Sequence, residues 1–370
     1  MNKIETLFFE LLQLAIGRRD RLSCAPSDEE WYQLFDLSKK QALDGIVFCA
    51  LENIPVDQCP PKPLIFQWSA HAAMRNEDNA LLNARCEEIC LQFAKDGFRS
   101  CILKGQSNLV NYPQALSEFR TSGDIDIWVR PMREMRHPIR EVIEYVIAHT
   151  QRCRPTYHHV DFRFFNDADV EVHQRPTFLC SPVRNRRLQR WCDQMERHCV
   201  TDNRVGDHTF PVPTPSFNVV YQLLHIYKHL FESGIGLRQM LDYYMVLSRW
   251  HELGSPNQDE VNQMMASLGL HTLAASVMYV LQMVFAMPDE YLICPVDEKA
   301  GSFLLDEIML AGNFGRYDKR LSHSTSKGKH AVEKFIRNFR FFKYFPEEVF
   351  CEPFYRLFHC GWRVLRLWRF

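Results

Sequence analysis

The 370-residue chain contains no run of eighteen apolar residues, so nothing in it reads as a membrane-spanning helix. Its opening apolar stretch, LFFELLQLAIG, runs into Arg18, Arg19 and Asp20 with no small-residue cleavage site, which argues against a signal peptide. The 13 cysteines are odd in number, scattered, and never spaced C-x-x-C. That fits reduced thiols in a cytoplasm better than a zinc ribbon or a disulfide framework. No internal repeat is visible. His225 and His229 stand four apart, but no Glu follows His225, so the H-E-x-x-H of a metalloprotease is absent. There is almost no net charge either: the formal total is −1. The total conceals an asymmetry, since residues 316–370 carry 13 Lys/Arg against 5 Asp/Glu, a local +8, and about −9 is left for residues 1–315.

What is present is ample apolar material. Hydrophobic residues make up 46% of the chain, enough for a sizeable core in two or three units. Residues 1–97 read as a helical unit. Ser27-Asp28-Glu29-Glu30 is a capping signature before Trp31, and a long helix is expected from about Pro63 to Lys95, stopped by Asp96-Gly97. Cys86 and Cys90, four apart on that helix, lack further ligands and read as core. Residues 98–213 are strand-rich: Arg99–Leu103, Ile125–Val129 and Val170–His173 read as strands, the stretch HHVDFRFF as a hairpin arm, and 133–150 as a crossing helix. Residues 214–315 return to helix. Residues 321–330, rich in Ser, Lys and His, read as a mobile loop, and 331–370 as two aromatic, basic helices divided near Phe345-Pro346.

The chemistry concentrates in CILKGQSNLVNYPQALSEFRTSGDIDIWV, residues 101–129. On a strand, Asp124 and Asp126 share one face while Ile125 and Ile127 enter the core. Two carboxylates side by side repel unless a cation lies between them. A third, Glu171, falls on the same face of the expected hairpin as His173, and adjacent strands are close enough for it to reach the same ions. A two-residue register shift would select Asp169 instead. Three converging carboxylates suit Mg²⁺ or Mn²⁺ and phosphoryl transfer, with an activated hydroxyl on one side and the β/γ-phosphates on the other. Gly105, opening a helix after the first strand, would leave room for phosphate oxygens at free N–H groups. Lys104 either neutralises a phosphate or pairs with an acid such as Glu118. Arg120 either clamps a triphosphate or balances the carboxylates.

At these residues the chain resembles the uncharacterised nucleotidyltransferase family within the DNA polymerase β-like superfamily. The likeness rests on Leu103-Lys104-Gly105, Arg120, Gly123-Asp124-Ile125-Asp126 and Glu171-Val172-His173. It extends through His225, His229, Gly236-Leu237-Arg238, Asp242 and Gly312-Asn313-Phe314-Gly315, and so covers most of the chain. It implies that Asp124, Asp126 and Glu171 bind metal and act in catalysis. It also implies that Lys104-Gly105 takes the place of the superfamily's Gly-Ser turn, with Gln106 where a Ser is expected. Gly123, Arg120 and Arg238 are the further candidates for contact with the nucleotide, Arg238 because Gly234 and Gly236 place it in the first turn of a new helix.

The expected fold is α+β: a small mixed β-sheet nucleotidyltransferase core flanked by N-terminal and C-terminal helical units. The expected activity is transfer of an NMP from an NTP, with Mg²⁺ or Mn²⁺, to a hydroxyl on RNA, protein or a small molecule. An inactive nucleotide- or RNA-binding protein of the same fold is the alternative, and a Glu171 turned away from Asp124 and Asp126 would favour it. His225 and His229 read first as helix-packing residues, and Arg238 with Asp242 as a helical i,i+4 pair. The basic end, FYRLFHCGWRVLRLWRF, either binds RNA, lies on an anionic membrane, or packs on the helical region with its arginines outward; packing is the reading preferred here.

Overall fold

A computed structural model describes residues 1–150, 153–320 and 327–369. Local signals start the first helices. The Asn2 and Ser27 side chains cap Lys3–Ala15 and Asp28–Lys40, and Glu5 and Glu30 reach back in reciprocal capping boxes, each worth about 1 kcal/mol. After the short helix Asp44–Ala50 comes Lys62–Lys95, 34 residues long, begun by Pro63 in its first turn and ended at Gly97 in the left-handed region.

The sheet follows. Its strands are β1 (Phe98–Ile102), β2 (Ile125–Pro131), β3 (His159–Asp161) and β4 (Val170–His173), in the order β1-β2-β4-β3. β2 is antiparallel to β1 and parallel to β4, while β3 and β4 form the hairpin. The crossing helix between β2 and the hairpin is Pro138–His149. β5 (Val200–Val205) and β6 (His208–Pro213) make a separate two-stranded ribbon. The architecture is α+β, a small mixed sheet between helical units.

Period-2 alternation divides the sheet into two faces. Phe98, Ile102, Ile125, Ile127, Val129, Val170 and Val172 share a core with Cys86, Ile89 and Phe93 of the Lys62–Lys95 helix and Val142, Ile143 and Val146 of the crossing helix. Cys101, Leu103 and Trp128 face the other way, against Phe217 and Tyr221 of the helix Pro215–Glu232. Trp128 and Phe217 stack, ring centres 5.9 Å apart. Cys86 and Cys90 are indeed core residues, and all thirteen cysteines are free thiols.

Beyond Pro215–Glu232 come Leu237–Glu252, Gln258–Ser267, His271–Phe285 and Glu298–Ala311. The N-terminal helices join the same core: Phe8, Leu11 and Leu12 are buried with Leu273, Leu281 and Phe285 of His271–Phe285. Of the stretch expected to be mobile, residues 321–326 lie outside the described residues, and a helix, Lys327–Phe339, begins after them. The last long helix, Pro346–Val364, starts at the break expected near Phe345-Pro346.

Candidate active site

Asp126 stands on the central strand with 1% of its surface exposed. The parallel register sets it directly opposite Glu171, and the antiparallel one sets His173 opposite His159. Alternation therefore gathers Asp126, Glu171, His173 and His159 on the face covered by Pro215–Glu232. Asp124, at the exposed rim just before β2, completes the group. One oxygen from each of Asp124, Asp126 and Glu171 lies within 4.8 Å of the other two. His159, Glu171 and His173 form a second cluster by the same measure, sharing Glu171. Glu171 thus faces the two aspartates. Asp169, the alternative register choice, is exposed and belongs to neither cluster, and nearby Asp167 forms an ion pair with Arg85 at 2.8 Å.

The resting charges are balanced by cations of the chain itself. Asp126 Oδ1 lies 3.0 Å from Lys104 Nζ and 2.8 Å from His173 Nε2. Burial alone would raise the Asp126 carboxyl, but Lys104 and His173 outweigh it and hold it below the ordinary value. Glu171 Oε2 is 3.0 Å from His159 Nδ1 and 3.5 Å from His173 Nε2. There too burial is overcome, and the carboxyl is held well below its usual range. His173 is the reciprocal case: burial would lower it, yet hydrogen bonds to Asp126 and Glu171 raise it. Lys104 is likewise raised despite its burial by the Asp126, Asp124 and Glu171 charges. Asp124 is raised, chiefly by the negative charge of Asp126.

Among the atoms of the cluster left without a hydrogen bond, one is a carboxylate oxygen. Asp126 Oδ2 is buried and has no hydrogen-bond partner among the described residues, which is costly for a carboxylate oxygen unless a cation meets it. Three carboxylates that converge, one with an unmet buried oxygen, form an all-oxygen donor set of the kind that suits Mg²⁺ or Mn²⁺. The residues fit such an ion.

Gly105 adopts φ +62 and begins a 3₁₀ segment, Gly105–Asn111, so the backbone turns away from β1 immediately after Lys104. The expected helix here is this single short segment. Gln106 is buried beneath it, its amide donating to Asn83 Oδ1 at 2.8 Å. Gly123 is exposed and nothing crowds its Cα.

The two arginines have other partners. Arg120 is buried, and its Nε and Nη2 reach Asp242 Oδ1 and Oδ2 at 2.6 and 2.7 Å. Tyr112 donates to the same Oδ1 at 2.7 Å. The fork that would clamp a phosphate is thus taken by Asp242. Nor does Asp242 pair with Arg238, its neighbour one helical turn back. Arg238 instead donates through Nη1 to the Thr121 carbonyl at 2.8 Å, and Arg120 Nη1 reaches the same carbonyl at 3.3 Å. Both arginines therefore hold the loop that leads into Asp124. Arg238 keeps a buried Nε without a hydrogen-bond partner among the described residues, and burial with the nearby Arg120 charge lowers its guanidinium pKa to about 10.

The glycine motifs explain themselves by close backbone approach. Gly312–Gly315 packs against the turn at Gly234–Gly236: a side-chain carbon on Gly236 would come within 2.8 Å of Asn313 Cα, and one on Gly315 would run into the Ser233 carbonyl. Phe314, itself at φ +54, lies under Arg238 and beside His229. His225 and His229 are deeply set, and burial followed by the Lys104 charge holds both well below the ordinary imidazole value, so they are neutral. Their rings contact each other at 4.4 Å.

Sequence reasoning missed His159, Tyr112 and Thr121. His159 had a signal: in a hairpin turning at Asn166-Asp167 it sits on the Glu171 face. The others gave none, because their partners lie far along the chain.

Compared with known proteins, the chain matches the model of one family, described as uncharacterised nucleotidyltransferase, over residues 27–286. That span includes the three carboxylates, Lys104, Arg120, Arg238 and Asp242, and stops before Gly312–Gly315. No curated protein and no solved structure matches the chain.

Proposed function

We propose, from the premise that the chain belongs to this family of uncharacterised nucleotidyltransferases, that it transfers an NMP from an NTP to a hydroxyl acceptor and releases pyrophosphate with the help of Mg²⁺ or Mn²⁺. The observation that carries the reading is the convergence of Asp124, Asp126 and Glu171 within 4.8 Å of one another, with a buried Asp126 oxygen that has no hydrogen-bond partner among the described residues. Asp124, Asp126 and Glu171 would hold the ion. When bound, a divalent cation there supplies charge neutralisation on phosphoryl oxygens and lowers the pKa of an attacking hydroxyl.

The chain's own groups do the rest. Lys104, whose ammonium lies 3.0 Å from Asp126 Oδ1, would set a positive charge beside the triphosphate. Gly105 and Gly123 leave bare backbone on either side of the carboxylates, where phosphate oxygens can approach N–H groups. Arg238 offers an unpartnered Nε behind the Thr121 loop. Asp124, at the rim, is the carboxylate an acceptor hydroxyl reaches first from solvent. Arg120 serves by anchoring that loop through Asp242.

The test is transfer of labelled NMP to acceptors in a cell extract, each NTP tried in turn with Mg²⁺ and with Mn²⁺. Wild type should label a product, and Asp124→Ala/Asp126→Ala should lose at least about a thousandfold, roughly 4 kcal/mol of transition-state stabilisation. Equal labelling by both proteins with every NTP would sink the reading.

A further inference from the structure

The carboxy-terminal helices pack with one face and leave another uncovered. Trp362 and Trp368 are buried in the core beside the sheet, Phe345 joins the larger helical core, and Tyr355 stacks on Phe178 with ring centres 4.5 Å apart. To this extent the segment packs as expected. Yet Phe350, Phe354, Leu357 and Val364, at i, i+4, i+7 and i+14 of Pro346–Val364, are 60–75% exposed. Val332, Phe335, Ile336 and Phe339, at i, i+3, i+4 and i+7 of Lys327–Phe339, are exposed to a similar degree. Among the described residues outside this segment, the exposed phenylalanines are Phe66 and Phe164 alone. Scattered exposed apolar residues are ordinary, whereas helical stripes of them confined to one segment mark a surface that something covers.

The charge beside the stripes says what. Every acidic residue between 332 and 369 is buried or half-buried: Glu348 and Glu352 are inside, and Glu347 pairs with Arg184. Lys343, Arg363, Arg366 and Arg369 stay exposed. To solvent this end of the molecule presents aliphatic and phenylalanine side chains together with positive charge. We propose that it docks on an anionic lipid bilayer, lying in the interface with the phenylalanines among the acyl chains and the arginines at the headgroups.

Two other occupants fit less well. A nucleic acid would find phenylalanines to stack on, but the tryptophans are turned inward, and Leu357, Val364, Ile336 and Val332 fill the same stripes with aliphatic surface that acyl chains accept and bases do not. A second copy of the chain would bring two surfaces of the same positive sign together. Nothing in this inference depends on nucleotidyl transfer.

The experiment uses the full-length chain and large unilamellar vesicles. Co-sedimentation is compared for phosphatidylcholine alone and phosphatidylcholine with phosphatidylglycerol, at low and high salt. The protein should pellet with the anionic vesicles and at least about tenfold less with the neutral ones, since each basic residue near an anionic surface is worth about a fivefold change in partitioning. Phe350→Ser/Phe354→Ser/Leu357→Ser and Arg363→Glu/Arg366→Glu/Arg369→Glu should each lose about tenfold or more of the binding; all six positions are exposed, so circular dichroism should be unchanged. Leu357→Trp should show a blue-shifted emission only with anionic vesicles. Absence of pelleting with anionic vesicles overturns the proposal. So does a dimeric mass in solution that the Phe350→Ser/Phe354→Ser/Leu357→Ser variant converts to monomer while vesicle binding is unaffected, or binding that follows added RNA and ignores lipid.

Discussion

Asp126 shows how much a single side chain can be asked to carry. One oxygen is shared between an ammonium and an imidazole, and the other is buried with no hydrogen-bond partner among the described residues. The two cations that neutralise it are part of the chain, so the cluster is stable before any ion arrives, and the raised pKa of His173 is the mark of that balance. In protein stripped of divalent cations this linkage has a definite sign. His173 gains its charge more readily folded than unfolded, so its contribution to stability is complete below about pH 6.5, its ordinary value, and is lost as pH rises through the higher folded value. Thermal melts of the cation-free protein should therefore show stability falling as pH rises above about 6.5, and His173→Gln should flatten that fall. A wild-type curve without slope there would show that His173 is not charged in the fold.

The parity of residues on a strand is enough to place Asp124 and Asp126 on one face, and the same parity across a turn puts Glu171 and His173 on theirs. The strand β3 is only three residues long, His159–Asp161, too short to announce its own register, which is why His159 escapes a reading of the sequence although the hairpin geometry contains it. Arg120 escapes for a different reason. Nothing local distinguishes an arginine that will clamp a phosphate from one that will meet a carboxylate brought in from a distant helix.

At the scale of elements, the site is set by where loops are tied down. The Arg120–Asp242 pair, with Tyr112, joins the loop before β2 to the helix Leu237–Glu252. A buried pair of this kind contributes little against a well-packed apolar replacement, but breaking it strands a charge. Asp242→Ala should thus cost about 3–5 kcal/mol of stability. Arg120→Ala/Asp242→Ala should cost well under the sum of the two single changes, since the stranded charge is removed. Denaturant unfolding of the three variants measures this, and strict additivity would show that the two residues act independently. The backbone contact of Gly312–Gly315 with Gly234–Gly236 braces the start of the same helix, where Gly236 is the N-cap. The two glycine motifs are visible in the sequence, whereas their pairing is not, because close backbone approach leaves no pattern beyond the glycines themselves.

Over the whole molecule, helix and strand periodicities foretell an α+β fold with a small mixed sheet, and the capping signatures foretell where its first helices begin. Less legible is which helix lies on which. The amphipathic opening Lys3–Ala15 buries its apolar face with residues of His271–Phe285, a partnership no local pattern encodes. The aromatic, basic end carries both stories at once: its tryptophans pack inward while its phenylalanines face solvent, and composition alone cannot separate the two faces. Carboxylate cluster and exposed surface lie in different parts of the chain, and each stands or falls by its own test.

The central claim is that the three carboxylates serve transfer of a nucleotidyl group rather than of a terminal phosphate. It is tested most directly by following two labels in parallel, one on the α-phosphate and one on the γ-phosphate of the NTP, in extract with divalent cation present. The α-label should pass to the acceptor and the γ-label should leave as pyrophosphate, both abolished in Glu171→Gln. Retention of the γ-label on the acceptor, or transfer undiminished in Glu171→Gln, would contradict the account.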